Sequence, residues 1–412
     1  MYPKMTAELE AKSERRRSAG AWIRSAAAAS AAVWMLGLVG MLVPASAAGA
    51  TADDETVVSV EVGAGDHAAA SFVTGRGVHT KGALSPDGSR RAPETLRGDG
   101  AGNLVSVRPD SLTTLIPGFA VLDNPAANFP AGSFYPYDLH IYTFSGQLVT
   151  LAQAAVVTSG ETHNIYINAP PSHWGNPTTF QHHLYSSTLI HVLDQYTGST
   201  QNGRYEVGRS ARVTYPVSST PLMDGTDIAA IVHAVAAKFG TGYGHIYHVF
   251  LPKGVDECLG PTSCFSPDNP ATWAFCGYHS NVTFTDIGHV LYTLEPYPDV
   301  FSLINGVRHY SCDVGQSNHT NTTPTPNGVL VDSLSGVISH ETSETITDPD
   351  TGNFGWYSFN SGYEIGDVCE NPYFAYVPFE VSGRLYYIQP EYSDDFHACV
   401  TVPLTPTPPD SD

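Results

Sequence analysis

The sequence has few basic residues for its length. Of 412 residues, 19 are Lys or Arg and 40 are Asp or Glu, which gives a formal net charge of −21. A chain with this balance is repelled by nucleic acid and by anionic lipid, so neither is expected as a partner. Cations and cationic polymer surfaces suit it better. Charged residues make up only 14% and hydrophobic residues 42%, so the chain can bury a sizeable core.

Long apolar runs are also missing beyond the first fifty residues. The one run of membrane-spanning length starts at Ser25, after a basic stretch, and ends in the small residues 45–48. This order predicts a secretory signal peptide over residues 1–48, cleaved after Ala47 or Ala48. An uncleaved membrane anchor is the alternative, but Pro44 and the small residues favour cleavage. Residues 1–48 carry six Lys or Arg and three Asp or Glu, so the mature chain would carry about −24. We expect it to be secreted, extracellular or in the cell wall, without membrane contact.

Cysteine is absent from the first 257 residues, and no C-x-x-C spacing occurs. The six cysteines are Cys258, Cys264, Cys276, Cys312, Cys369 and Cys399. An even number in an exported chain favours disulfides, and the missing C-x-x-C argues against a zinc site built from cysteines. Proximity in the sequence predicts the pairs Cys258 with Cys264, Cys276 with Cys312, and Cys369 with Cys399.

The composition predicts four successive regions. Residues 49–112 follow the signal peptide and are rich in Gly, Ala, Asp and Ser with few aromatics. They read as a disordered leader or propeptide, and Arg90-Arg91 would suit processing. A single folded domain is expected over residues 113–401, and the Pro- and Thr-rich residues 402–412 are expected to form a disordered tail.

Within the domain, short apolar and aromatic runs alternate with turn residues. The predicted strands are 118–122, 139–144, 147–157, 164–168, 188–193, 211–217, 245–252 and 290–292. The first six are expected to pair mostly as antiparallel hairpins, because their connections are too short for crossover helices. Apolar periodicity predicts helices over 227–239 and 331–346. The expected fold class is therefore α+β, a largely antiparallel sheet with packed helices, and the second helix is zincin-like.

That second helix carries the string His340-Glu341-x-x-Glu344. Residues four apart share a helix face, so His340 and Glu344 could hold one metal ion while Glu341 addresses water. The zincin motif H-E-x-x-H has a second histidine where this chain has Glu344, and a carboxylate is a less zinc-selective ligand. Glu364 or Asp367 could supply the third ligand. The alternative is a surface helix that binds no metal, in which His340 has a structural role.

Other residues bear on the same site. The expected ion is Zn²⁺, with Ca²⁺ left open. His279 could line the same cleft, although a structural role is favoured for it. Trp356 and Tyr357 are further candidate cleft residues. The oxygen-rich segment 348–353 lacks the length and the closing glutamate of a calcium loop, so we expect a turn there.

Four segments together resemble a known family. They are Phe275-Cys276-Gly277-Tyr278-His279, His340-Glu341-x-x-Glu344-x-x-Thr347-Asp348-Pro349, Gly355-Trp356-Tyr357 and Glu364-Ile365-Gly366-Asp367-x-Cys369. This set resembles the phosphate-induced, Exordium-like family of secreted plant proteins and its bacterial relatives, over about residues 225–400. The resemblance implies an exported protein, associated in plants with the cell wall and growth, and it implies no particular reaction. The Ala-rich leader suggests a bacterial member.

Three functions follow as hypotheses. The first is a secreted zinc-dependent hydrolase, most simply a peptidase, in which Glu341 accepts a proton from the attacking water. The second is a non-enzymatic extracellular or cell-wall-associated protein whose ion is structural and whose partner is a wall polymer. A glycosidase is the third, but no spacing in the sequence identifies its two acids. Substrate and oligomeric state are not specified by the sequence.

Overall fold

A computed structural model describes residues 55–63, 73–83, 91–98, 104–106, 140–141, 156–217, 221–313, 325–351, 356–357, 363–369, 377–395 and 398–401. The expected signal peptide, the C-terminal tail and the strand predicted at 118–122 lie outside these residues. Within them, no helix combines the length and the apolar character needed to cross a membrane.

The described elements are mostly short strands. The strands are β1 (Val57–Glu61), β2 (Val73–Gly82), β3 (Thr95–Gly98), β4 (Leu104–Ser106), β5 (His140–Ile141), β6 (Gly160–Ile167), β7 (Tyr205–Val207), β8 (Ser210–Thr214), β9 (Leu222–Met223), β10 (His245–Phe250), β11 (Glu257–Gly260), β12 (Ser263–Phe265), β13 (Phe275–Phe284), β14 (Gly288–Glu295), β15 (Ser302–Ile304), β16 (Val307–His309), β17 (Trp356–Tyr357), β18 (Val377–Val381), β19 (Arg384–Ile388), β20 (Glu391–Ser393) and β21 (Ala398–Val400). The α-helices are α1 (Pro177–Tyr185), α2 (Asp194–Thr197), α3 (Ala229–Phe239) and α4 (Val329–Thr347). Shorter helical turns cover Pro171–Trp174, Leu189–Leu193, Asp224–Ile228 and Asp367–Cys369.

One ten-stranded sheet organises the molecule, in the order β1-β8-β6-β10-β14-β13-β2-β3-β4, with β7 also paired to β6. The strands from β1 to β14 in this order are parallel, and those from β14 to β4 are antiparallel. The fold thus mixes helices with sheets, as expected, but the expectation of a largely antiparallel sheet holds only for the part of the main sheet from β14 to β4. The cause of the difference was the unrecognised helical connection between β6 and β8, which lets these strands run parallel.

The expectation that residues 49–112 form a disordered leader is wrong at the strands β1 to β4. β2 pairs with β13 over most of its length, and β1 pairs with β8 at the other end of the sheet. Both strands contribute buried valines to the core, Val60 and Val78. Their Gly- and Ser-rich surroundings gave the segment a disordered composition, but long-range pairing fixes these strands.

The two faces of the sheet carry separate cores. Side chains alternate along a strand, so β10 sends Tyr247 and Val249 to one face and Ile246 and Phe250 to the other. Helix α3 packs on the first face and helix α4 on the second. On the α4 face a row of polar residues crosses five neighbouring strands in register: Asn164, His248, Thr293, His279 and His79. All five are buried.

The two predicted helices are confirmed as α3 and α4, the first ending at Gly240 as expected. The strand predicted over 188–193 is wrong, because Leu189–Leu193 forms a helical turn. A short apolar run does not distinguish a strand from a buried helical turn. Helix α1 was not predicted, although it has a proline at its first position.

The three predicted disulfides are confirmed. Cys258 bonds Cys264, Cys276 bonds Cys312, and Cys369 bonds Cys399. No described cysteine is free. Three disulfides indicate an oxidising environment, as in extracellular proteins.

Candidate metal centre

The motif helix α4 is buried on all sides from Asp332 to Thr347. A helix with this many polar residues can be buried only if their groups find partners. Several hydroxyls bond back to the preceding turn, as Thr345 Oγ1 does to the Glu341 carbonyl at 2.6 Å. At the N-terminus, Asp332 accepts hydrogen bonds from Asn327, and its charge complements the helix dipole. The motif side chains are therefore held on a rigid, central element.

The predicted ligand pair lies on one face of α4. His340 Nε2 and Glu344 Oε2 are 3.1 Å apart. Asp367 lies in the helical turn at 367–369, and its Oδ1 is 3.7 Å from His340 Nε2. The backbone N–H of Asp367 donates to Glu344 Oε1 at 3.2 Å, which fixes the carboxylate of Glu344 in this direction. Helix α4 and the turn at 367–369 thus bring three predicted ligands together.

Strands β13 and β2 add two histidines to the same cluster. His279 and His79 are direct neighbours across these strands, and their rings stack with centroids 5.7 Å apart. His279 Nδ1 lies 3.6 Å from Glu344 Oε2, and its Nε2 lies 3.6 Å from Glu364 Oε2. His279 is therefore a member of the site, and the structural role favoured for it from sequence is not its only one.

Two glycines allow the elements to approach this closely. A Cβ at Gly366 would come within 2.6 Å of His340 Nδ1 and 2.8 Å of Glu344 Oε1. A Cβ at Gly277 would lie 2.8 Å from Glu341 Oε1. Side chains at either position would collide with the cluster, so both glycines are needed for packing against it.

Many donor atoms in the cluster have no hydrogen-bond partner among the described residues. They are His279 Nδ1 and Nε2, His340 Nε2, both carboxylate oxygens of Glu341, Glu344 Oε2, Asp348 Oδ1, Glu364 Oε2 and Asp367 Oδ1. Buried polar atoms without partners are costly, and their clustering in one place indicates a ligand that all of them address.

The excess of buried negative charge also indicates a bound ligand. Five carboxylates surround the cluster and none is more than 5% exposed: Glu341, Glu344, Asp348, Glu364 and Asp367. Among the described residues, Lys81 is the only buried lysine near the cluster, and its Nζ lies 3.3 Å from His340 Nδ1. Uncompensated buried carboxylates are strongly unfavourable, so the cluster requires further positive charge or protons.

The pKa values reflect this excess of negative charge. Burial and the nearby Glu344 raise the pKa of Glu341 well above its usual value, and burial with Asp348 does the same for Glu364. Burial alone would also raise the pKa of Glu344, but His340 and His279 hold it well below its ordinary range. Glu344 is therefore the carboxylate that stays ionised most readily, as a metal ligand must.

Further residues orient the ligands from outside. Gln389 Oε1 lies 3.3 Å from His340 Nδ1 and accepts a hydrogen bond from Lys81 Nζ at 2.9 Å. The amide Nε2 of Gln389 lies closer still to His340 Nδ1, at 3.1 Å, so Gln389 holds the outer edge of the His340 ring. His79 is held by Asp367 Oδ2 at 2.6 Å from Nε2 and by Thr95 Oγ1 at 2.8 Å from Nδ1. Although burial by itself lowers the pKa of His79, Asp367 and other carboxylates raise it, so this ring adds positive charge.

The arrangement fits a metal ion. Ligand bonds of 2.0–2.2 Å around a four-coordinate ion place neighbouring donor atoms roughly 3.4 Å apart. The separations of 3.1, 3.6 and 3.7 Å around Glu344 Oε2 and His340 Nε2 are close to this value. Three overlapping groups of donor atoms within 4.8 Å of one another all include Glu344. These buried His, Asp and Glu groups could therefore hold a metal ion.

The structure brings together all five acidic and histidine residues named from the motif, namely Glu341, His340, Glu344, Glu364 and Asp367. It does not place Trp356 with them: its ring packs edge-on against Tyr196 at 5.1 Å, in the α4-face core. Tyr357 is described only as part of β17, which pairs with β5.

Three residues of the site were not predicted from the sequence: His79, Lys81 and Gln389. Two of them lie in the segment taken for a leader. The signal that could have found them is the alternation His79-Thr80-Lys81, which places both polar side chains on one face of a strand.

Comparisons with family models, with curated proteins and with solved structures give no match to this chain.

Proposed function

We propose that this protein is a secreted, zinc-dependent hydrolase that acts on peptides. The observation that carries the proposal is the set of unpartnered buried donor atoms around the His340-Glu341-x-x-Glu344 string. Imidazole nitrogens together with carboxylate oxygens suit zinc, whereas calcium prefers oxygen ligands alone. The three disulfides and the resemblance to exported Exordium-like proteins support an extracellular location.

We assign His340, Glu344 and Asp367 as ligands, with His279 as a second nitrogen donor. Asp367 is preferred to Glu364 because its Oδ1 faces His340 Nε2, whereas Glu364 Oε2 faces the far nitrogen of His279. Glu364 and His79 then act as neighbours that orient these ligands, since Glu364 Oε1 lies 3.1 Å from His79 Nδ1.

A bound divalent ion would supply Lewis acidity towards a peptide carbonyl and towards a water molecule. Glu341 would accept the proton of the attacking water and return it to the leaving amine. Both of its oxygens lack hydrogen-bond partners among the described residues, and Oε2 lies 3.7 Å from His279 Nδ1. It follows His340 directly on α4, so its carboxylate enters the cluster beside the ligands.

The test is to measure metal content and peptide cleavage together. We expect near-stoichiometric zinc in the wild type and in Glu341→Gln, and loss of zinc in His340→Ala. Glu341→Gln should cleave peptides of a mixed library about 10²- to 10⁴-fold more slowly, because only the proton acceptor is removed. Glu257→Gln is the matched control: Glu257 is fully buried but lies on the other face of the sheet, where it accepts a hydrogen bond from Tyr278.

Three results would count against the proposal. A wild-type protein without transition metal would end it, and so would a fully active Glu341→Gln variant. Loss of zinc from Glu341→Gln would make Glu341 a ligand rather than the base.

The alternative function is a non-enzymatic extracellular protein with a structural ion and a cell-wall polymer as partner. One observation favours it: the cluster joins β2, β13, α4 and the turn at 367–369, which an ion would hold together. A metal-loaded protein that cleaves no peptide, and whose Tm falls when the metal is removed by a chelator, would support this alternative.

A further inference from the structure

A second group of potential metal ligands lies away from the buried cluster, at the start of strands β6 and β10. These parallel strands pair directly, with Glu161 opposite His245 and His163 opposite Tyr247. Side chains alternate along each strand, so Glu161, His163 and His245 all project from the same face. This is the face on which α3 packs, because Tyr247 belongs to the core on that side.

The three side chains converge on one point. His163 Nε2 lies 3.0 Å from His245 Nδ1 and 3.7 Å from Glu161 Oε2. The two imidazole rings stack with an interplanar angle of 18°. All three ligand atoms lie within 4.8 Å of one another. Donor atoms around a four-coordinate ion lie at similar separations, roughly 3.4 Å.

The orientation of His163 is fixed by a backbone carbonyl. His163 Nδ1 donates to the Arg209 carbonyl oxygen at 3.0 Å, and a carbonyl oxygen can only accept. The proton of neutral His163 therefore resides on Nδ1, and the Nε2 lone pair points towards His245 and Glu161. A second ring nitrogen bonded to a backbone carbonyl is the usual arrangement of metal-binding histidines.

Two glycines in the surrounding backbone, Gly208 and Gly240, leave space for these side chains. A Cβ at Gly208 would lie 2.7 Å from His163 Cε1 and 3.0 Å from Glu161 Oε2. A Cβ at Gly240 would lie 2.3 Å from His245 Nε2. Any other residue at these two positions would push the ligands apart.

We propose that Glu161, His163 and His245 form a second metal site, for a divalent transition ion of the Zn²⁺ or Cu²⁺ class. Two imidazole nitrogens and one carboxylate favour such an ion over Ca²⁺ or Mg²⁺. The carboxylate of Glu161 is 55% exposed, while His163 is buried, so the ion enters from solvent and its remaining positions are filled by water. The bound ion would link β6 to β10 at the same end of the sheet.

Without an ion, His245 Nδ1–H donates a hydrogen bond to His163 Nε2. When a transition metal binds Nδ1, neutral His245 carries that proton on its Nε2 instead. Cu²⁺ is the probe of the ligands, because its electron paramagnetic resonance spectrum reports coupling to imidazole nitrogens. Zn²⁺, counted by elemental analysis after gel filtration, is the probe of stoichiometry. Both are added to the chelator-treated full chain.

We expect one more Zn²⁺ in the wild type than in His245→Ala, and Cu²⁺ coupling to two nitrogens that His245→Ala reduces. Glu161→Gln keeps the shape and should weaken Zn²⁺ binding about 10-fold. The matched control is His233→Ala, which removes a partly exposed histidine of α3 that pairs with Asp286. It should leave both measurements unchanged, and circular dichroism verifies folding of each variant.

Equal Zn²⁺ uptake by the wild type and His245→Ala, or Cu²⁺ spectra that do not change in this variant, would overturn the second site. The result is independent of the buried cluster. A wild type that binds a single ion, lost in His245→Ala, would support the second site and remove the buried one. A single ion lost in His340→Ala but not in His245→Ala would do the reverse.

Discussion

The two faces of the central sheet differ in how their buried charged groups are paired. On the α3 face, Arg76 forms an ion pair with Asp224, which also accepts hydrogen bonds from Tyr278 and Tyr292 at 2.7 and 2.6 Å. In the cluster around His340 on the α4 face, five buried carboxylates lie beside one lysine and three histidines, and many of the carboxylate atoms have no hydrogen-bond partner among the described residues.

The same strands build both faces. Within β2, Arg76 points to the first face and His79 to the second, and within β13 Tyr278 and His279 do the same. On the α3 face Arg76 pairs with Asp224, and burial raises the pKa of Glu257 well above its usual value, which favours the neutral form of that carboxyl group. The negative charge on the α4 face exceeds what the described residues balance, and that excess is where an external cation would bind.

The largest effect that would test this contrast is expected for Arg76→Met. Removing the arginine leaves the carboxylate of Asp224, which is fully buried, without its cation. We expect the free energy of unfolding to fall by about 3 to 5 kcal/mol, measured by urea denaturation. Metal content of the folded fraction should stay unchanged, because the pair lies on the other face.

The exposed Arg212 of β8 gives the control, since Arg212→Met should change the free energy of unfolding by less than about 0.5 kcal/mol. An Arg76→Met protein that is as stable as the wild type would mean that the α3-face pair contributes nothing net.

A second, smaller effect is expected on the α4 face from Gly366→Ala. The added Cβ would lie 2.6 Å from His340 Nδ1, so the ligand must shift. We expect Zn²⁺ affinity to fall about 100-fold, as for other disturbances next to metal ligands, with a smaller change in stability. Competition with a fluorescent chelator measures the affinity.

Gly260→Ala serves as the reference, because a Cβ at Gly260 would meet nothing within 4 Å. If Gly366→Ala and Gly260→Ala bind Zn²⁺ alike, the close approach of the 363–369 segment to His340 is not needed for binding.

The smallest effect concerns a third way to bury an acid, which is to protonate it. Burial and the nearby Asp299 raise the pKa of Asp313 to about 7. The folded state thus keeps a proton that the unfolded state releases near pH 4, so this group costs stability progressively as the pH rises from about 4 to 7. Asp313→Asn removes that loss. The free energy of unfolding of the variant, relative to that of the wild type, should therefore increase by roughly 2 kcal/mol between pH 4 and pH 7, a figure that allows for partial solvent screening.

Thermal melts of the wild type and Asp313→Asn between pH 4 and 8 test this prediction. The contributions of all other titrating groups cancel in the stability difference between the two proteins. A pH-independent difference for Asp313→Asn would contradict the raised pKa.

Local patterns were sufficient to predict part of this molecule. The periodicity of α4 and the spacing from His340 to Glu344 depend only on helix geometry, so the position of these two residues on one helix face followed from the sequence. The disulfides followed from proximity, because each closes a short stretch of chain. In each case the interacting residues are close in sequence.

The rest depends on distant pairing. His79 contacts Asp367 across 288 residues, and nothing local to residue 79 indicates it. The parallel strands were missed because the helices between β6 and β8 were read as a strand and loops. A structural role was favoured for His279 because its neighbours in the site come from other strands and from α4, which are distant in sequence.

The distance in sequence between the site's components has a consequence for how the protein matures. Lys81 meets His340 across 259 residues, and the turn at 367–369 is closed by the disulfide from Cys369 to Cys399, 30 residues further along the chain. Contacts of such large separation form slowly, because the intervening chain must be ordered first. A growing or truncated chain that lacks the last fifty residues therefore has no Asp367 and no Gln389 to offer. If the cluster holds an ion, retention of that ion would therefore report on completed folding.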